Sequence, residues 1–110
     1  MKSVYLLLED SNNYYKIGIS KNPTKRVKQL QTGSAGLITI YNIFESKYAN
    51  KIERTLHRKY NLANIKGEWF ELTIKEAQNF INDCRYLEDN FKLIDKTNNI
   101  DYVKFKQRTI

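Results

Sequence analysis

Glu53 and His57 stand four residues apart in the run Ala49-Asn50-Lys51-Ile52-Glu53-Arg54-Thr55-Leu56-His57. In a helix that spacing puts both on one face. A carboxylate there suits a hard divalent cation, which takes oxygen ligands. The imidazole, the single histidine of the chain, can orient a water, contact a phosphate or ligate a metal. Each also has a plain structural role open to it: Glu53 as a surface acid paired with His57 or Lys51, and His57 as a half-buried ring beside Leu56. Arg26, in Pro23-Thr24-Lys25-Arg26-Val27, can clamp a phosphate with two parallel hydrogen bonds and does not lose its proton. Tyr5 lies among Val4, Leu6 and Leu7, where most tyrosines pack on a sheet. As a functional group its hydroxyl would be a general base or a relay for an attacking water. A free phenol titrates near ~10, so that role needs cations close by. Lys16, Arg26 and a metal ion would supply them.

The charge pattern points to a polyanionic partner. Lys and Arg number 19 against 12 Asp and Glu, a formal net charge of +7. From Ser11 to Phe44 there is no acidic residue, while Lys16, Lys21, Lys25, Arg26 and Lys28 fall in that stretch. Such a face fits nucleic acid or an acidic membrane surface; it equally fits a solubilising basic surface.

Positioning these residues needs a particular order of elements. Ser3 to Leu8 and Tyr14 to Ile19 read as two strands joined by the polar turn 9–13, a hairpin. Asn22-Pro23 starts a helix, with Asn as the cap and Pro in the first turn, and Gly33 stops it. Gly36 to Phe44 is a third strand. Ser46 can cap a second helix that runs to about Tyr60 and buries Ala49, Ile52, Leu56 and Tyr60. Trp69-Phe70 is a short apolar segment. Thr73 with Glu76 forms a capping box for a third helix reaching about Phe91, with Ala77, Phe80, Ile81, Cys84 and Leu87 inward. The order β-β-α-β-α-(β)-α predicts an α+β domain with a three-stranded, mostly antiparallel sheet flanked by helices. Residues 1–91 form that domain, and residues 92–110 are either an extra strand, through Ile100 to Phe105, or a basic tail.

At 110 residues and 41% hydrophobic content the chain suits one core. The single Cys84 has no disulfide partner, and no Cys/His cluster has zinc spacing. Cys84 reads as a packed helix residue, and an intracellular, cytoplasmic setting is expected. The N-terminal apolar run is too short for a signal peptide, and no segment is long enough to span a bilayer.

This order of elements and residues resembles the GIY-YIG nuclease superfamily. Ser3-Val4-Tyr5 stands for the first motif and Lys16-Ile17-Gly18 for the second, followed by the helix Arg26 and the helix Glu53. Glu53-x-x-Leu56-His57 and Gly67-Glu68-Trp69-Phe70 resemble a phage- and virus-rich branch of that superfamily. The likeness covers about residues 3 to 72. It departs in two places: the first motif keeps only its Tyr, and Lys16 replaces the leading Tyr of the second, with Tyr14 and Tyr15 just before it. The family's late Asn has no clear counterpart, and Glu68 lies nearest its place.

The resemblance implies hydrolysis of phosphodiester bonds in DNA with one Mg2+ or Mn2+ ion. RNA is a further candidate substrate. Glu53 would be the metal ligand, with Glu68 a second possibility. Arg26 would clamp the phosphate, Tyr5 would be the base or relay, and Tyr15, Lys16 and His57 would complete the catalytic set. Lys16, Lys21, Lys25, Arg26 and Lys28 would bind the nucleic acid. Beyond the likeness, the charge of Lys92, Lys96, Lys104, Lys106 and Arg108 suits further phosphate contacts. Two other readings stand beside this one. The loss of the second-motif Tyr suits a non-catalytic nucleic-acid or protein binder on the same scaffold. An unrelated basic adaptor would leave Tyr5, Arg26, Glu53 and His57 scattered over the fold. None of these residues sets an oligomeric state.

Overall fold

The computed structural model describes the backbone of residues 1–108 and the side-chain surroundings of residues 1–97. Strands β1 (Ser3–Glu9) and β2 (Tyr14–Ser20) form the expected hairpin. Their antiparallel register sets Tyr5 opposite Gly18 and Leu7 opposite Lys16. Asn13 takes a positive φ of 57° in the turn, a conformation that Asn tolerates better than most residues. Strand β3 (Ile38–Glu45) pairs with the other side of β1.

Two further strands correct the three-stranded expectation. β4 (Asn64–Lys66) and β5 (Trp69–Phe70) make a small hairpin through Gly67, whose φ is +56°. β5 then pairs with β2, giving a five-stranded antiparallel sheet in the order β3-β1-β2-β5-β4. The reason for the difference is length. Three exposed residues and two apolar ones are too few to show a two-residue period. The α+β class itself stands.

Helix α1 (Pro23–Gln31) begins as its sequence dictates: the Asn22 side chain accepts from the Lys25 amide at 3.1 Å, and Pro occupies the first turn. Helix α2 (Ala49–Lys59) starts three residues after Ser46, which instead accepts from the Tyr48 amide at 3.0 Å. Helix α3 (Ile74–Gln78) carries the Thr73/Glu76 capping box. The single third helix expected to end near Phe91 is split at Asn79, and α4 (Phe80–Arg108) continues beyond it. Residues 100–105 are therefore helical, not an added strand. No Gly or Pro occurs after Gly67, so no strong breaker interrupts the helix. The side chains of Lys104, Lys106 and Arg108 lie outside the described residues.

Alternate residues of β1 and β2 feed two layers. Val4, Leu6, Tyr15 and Ile17 join Ile52, Leu56, Phe80 and Cys84 in the larger core, under α2, α3 and α4. Tyr5, Leu7 and Ile38 form the smaller one, with Val27 and Leu30 of α1 and with Trp69. Buried Asp83 ties α2 to α4: it accepts from Lys59 Nζ at 3.0 Å and the Tyr60 hydroxyl at 2.7 Å. Cys84 is a fully buried free thiol, pushed up to about 12 by burial. Among the described residues, no helix is long and apolar enough to cross a membrane.

Candidate functional site

The site forms where β5 runs out along the edge of β2. Lys16 is the last β2 residue paired with β5, opposite Trp69. The Ile17 amide still finds the Glu68 carbonyl at 3.1 Å. The Ile17 carbonyl points the same way, as both backbone groups of a strand residue do, but meets a side chain: His57 Nε2 lies 2.8 Å from it. A carbonyl oxygen only accepts, so Nε2 carries the hydrogen and the free lone pair of the neutral ring sits on Nδ1. The Phe70 ring meets the imidazole edge-on, with centroids 4.9 Å apart. His57 is thus held by backbone and core together, and its Nε2 is committed to Ile17 rather than open to a metal.

Glu53 lies one helical turn earlier, with Oε1 3.9 Å from His57 Nε2. Glu68 approaches from the turn before β5. One ligand atom each of Glu53, His57 and Glu68 fall within 4.8 Å of one another. Glu53 is half-buried, and that burial pushes its carboxyl above the ordinary value of 4.5; His57 pulls it down and Glu68 pushes it up again. Glu68 has its own cation, since Lys16 Nζ sits 3.0 Å from its Oε2. Lys16 is buried, and its ammonium also lies over the Trp69 ring, 5.3 Å from the centroid. The residue that replaces the second-motif Tyr therefore draws Glu68 into the cluster.

Tyr5 and Arg26 reach the same edge from the α1 side. The Tyr5 ring crosses over Gly18, and a Cβ built at Gly18 would lie 2.5 Å from Tyr5 Cζ and 2.8 Å from Cε1. Only glycine leaves room for the ring in that position. The exposed Arg26 guanidinium stands against the Tyr5 hydroxyl. Burial pushes the Tyr5 phenol up, hydrogen bonding to Arg26 pulls it down, and the Glu68 carboxylate raises it again. Arg26 also reaches Gln29, at 3.4 Å. Carboxylates, imidazole, ammonium, phenol and guanidinium thus converge from five elements of the chain on one strand edge, a donor and acceptor set suited to a phosphate group.

Residues 2–85 match the T5orf172 domain. The chain belongs to the T5orf172 domain family. This is a phage-associated domain related to GIY-YIG nuclease-like folds. No curated protein and no solved structure matches the chain.

The T5orf172 match spans every residue of the cluster, from Tyr5 to Glu68. One residue expected there is placed elsewhere. Tyr15 faces the larger core, edge-to-face with Tyr41 at 5.7 Å, on the opposite side of β2 from Lys16. Burial is the main influence on its phenol and no cluster charge contributes to it. The two-residue period of the strand forces this, because Tyr15 and Lys16 cannot share a face. Lys21, Lys25 and Lys28 are exposed, like Arg26, on or beside α1. Phe70 is a core residue, but Trp69 is only half-buried and supports Lys16. The Ile17 carbonyl is the part of the site no sequence motif announces, because every residue carries that group.

Proposed function

We propose that the chain is a metal-dependent endonuclease that hydrolyses phosphodiester bonds in DNA. The observation that carries this reading is the meeting of Glu53, His57 and Glu68 within 4.8 Å beside the Tyr5–Arg26 pair. Glu53, whose carboxyl is raised by burial and carries no lysine or arginine in contact among the described residues, fits a hard cation, and Glu68 offers a second oxygen. Mg2+ or Mn2+ bound there would balance phosphate charge and acidify a water. Arg26, exposed beside Tyr5 and Gln29, grips the attacked phosphate through two parallel N–H groups. Tyr5 is kept protonated by burial, so it orients the water and relays a proton rather than acting as a standing phenolate. His57, fixed by the Ile17 carbonyl, positions the water or contacts the phosphate. Lys16 balances Glu68 and holds it in place.

A binding-only reading has one specific observation in its favour: Lys16 Nζ already satisfies Glu68, where a metal ion would otherwise compete. Both readings meet the same assay. Purified protein is incubated with plasmid and with single-stranded DNA in Mg2+, Mn2+ or EDTA. Metal-dependent cleavage that Glu53→Ala removes, with DNA binding retained, is the expected result. Intact binding with no cleavage in any metal would refute the enzyme and leave the binder.

A further inference from the structure

A second concavity begins where the strand-edge cluster ends. Between the end of α1, the loop 33–36 and the β4–β5 hairpin runs an open groove of about 580 Å3, within the ~300–1,000 Å3 range of ligand clefts. Trp69 and Tyr14 bring aromatic rings to its lining, Leu30 an apolar side chain, Gln29 an amide and Lys66 a cation. Trp69 is common to both places, because its ring also lies under Lys16, the partner of Glu68.

Glu9 closes one end of this groove, and its situation is unusual. It is only 8% exposed. It lies against Gly36, where a Cβ would come 2.9 Å from the Glu9 Cδ and nearer still to Oε1. Oε1 accepts from the Ser11 amide at 2.9 Å and from the Ser11 hydroxyl. These bonds hold the carboxyl below its ordinary range, so it is ionised at neutral pH. Among the described residues no lysine or arginine is paired with it. The loop beside it is braced: Gln31 donates to the Gly36 carbonyl at 2.9 Å and accepts from the Ile38 amide at 2.7 Å. A groove lined by two aromatic residues and by a carboxylate with no paired cation among the described residues fits a flat ring that brings its own N–H donors.

We propose that this groove holds one unpaired nucleobase of the bound strand, stacked on Trp69 and read at its amino edge by Glu9. The inference rests on the nucleic-acid reading of the neighbouring cluster, and it adds a substrate preference to it. Aromatic stacking accepts any base. Glu9 discriminates: adenine, cytosine and guanine present amino groups, whereas thymine and uracil set two carbonyl oxygens beside their one N–H. A base inside a duplex cannot enter without unpairing, so single strands and frayed ends are preferred.

Trp69 is the only tryptophan of the chain, so its emission reports the wall that the groove shares with the cluster, and a groove-only substitution tells the two apart. The full chain, in EDTA, is titrated with oligo-dC, oligo-dT and a blunt duplex of equal length. Oligo-dC is expected to quench Trp69 at concentrations about tenfold lower than oligo-dT, the size of one well-made base contact, and the duplex to quench least. Glu9→Gln should narrow the difference between dC and dT. Ala35→Phe, at an exposed groove position, should abolish quenching while leaving duplex binding unchanged. Equal quenching by all three ligands, or no effect of either substitution, would overturn the proposal. Because EDTA prevents cleavage, the outcomes separate: metal-dependent cleavage without dC preference sinks only the groove, and dC-selective quenching without cleavage sinks only the nuclease.

Discussion

Replacing Gly18 by alanine tests how the sheet holds Tyr5. In an ordinary strand the change is favourable, because alanine loses less conformational freedom than glycine by ~0.5–1 kcal/mol. Here the new methyl would sit 2.5 Å from Tyr5 Cζ and 2.8 Å from Cε1. Carbon atoms settle ~3.5–4.0 Å apart, so the ring must withdraw by about 1 Å. Tyr5 is 1% exposed and has no open side to move into. Overpacking of this kind costs ~1–3 kcal/mol, and each kcal/mol lowers Tm by roughly 4–8 °C in a small domain. The same displacement separates the Tyr5 hydroxyl from Arg26, and a misplacement of ~1 Å at a reacting centre can cost ~100-fold in rate. Thermal melting of four proteins decides the matter: wild type, Gly18→Ala, Tyr5→Leu and the double variant. Without the ring, the alanine should be neutral or stabilising, so the two changes couple by most of the ~1–3 kcal/mol. A Gly18→Ala protein that melts at or above wild type, or an equal penalty in both backgrounds, would refute the crossing of Tyr5 over Gly18.

Three other outcomes are expected. The raised carboxyl of Glu53 means that the folded chain keeps a proton the unfolded chain has released. Its contribution to stability is full below 4.5 and is lost as pH rises through the folded value. Glu53→Gln should therefore lessen the decline in melting temperature from acid to neutral pH while abolishing cleavage; an unaltered pH profile contradicts the burial argument. Glu68→Gln strands the buried Lys16 ammonium and should cost roughly 1–2 kcal/mol, a figure kept low because the Glu68 side chain is 40% exposed. Adding Lys16→Met should restore that loss in denaturant unfolding, and failure to do so would deny the pair its structural role. Lys25→Ala with Lys28→Ala should reduce the slope of log affinity against log salt by about 0.9 per lost duplex phosphate contact; an unchanged slope would remove that face of α1 from the DNA surface.

The parts legible in the sequence were those with a local physical cause. Asn22-Pro23 set the start of α1, Thr73 and Glu76 set α3, and the apolar positions Ile52 and Leu56 set the buried face of α2. The parts that were not legible depend on tertiary partners. Asn64–Lys66 is a strand only because β5 lies beside it, and 100–105 continues a helix whose strand-like alternation the chain does not use. At the site, spacing placed Glu53 and His57 on one helix face, and the family likeness singled out Tyr5, Arg26 and Glu68. Local sequence does not fix which face of β2 each residue takes, and the register turns Tyr15 into the larger core. Lys16 looked like a lost catalytic residue, but its position across from Trp69 makes it the anchor of Glu68. Nothing local marks Glu9, the first residue of the expected turn, as buried: its burial comes from Gly36, a neighbour 27 residues away.

The bond from His57 to Ile17 also finishes the sheet by other means. Beyond Glu68 no strand among the described residues supplies a hydrogen to the outer edge of β2, and the Ile17 carbonyl takes it from the imidazole Nε2 at 2.8 Å. One ring atom of α2 thus does the work of a missing strand residue, and a helix on one face is fastened to the rim of the sheet. The same fastening fixes how far Glu53, one turn earlier on α2, stands from that rim. Nitrogen NMR should find the ring hydrogen on Nε2; a ring carrying it on Nδ1 alone would deny the fastening.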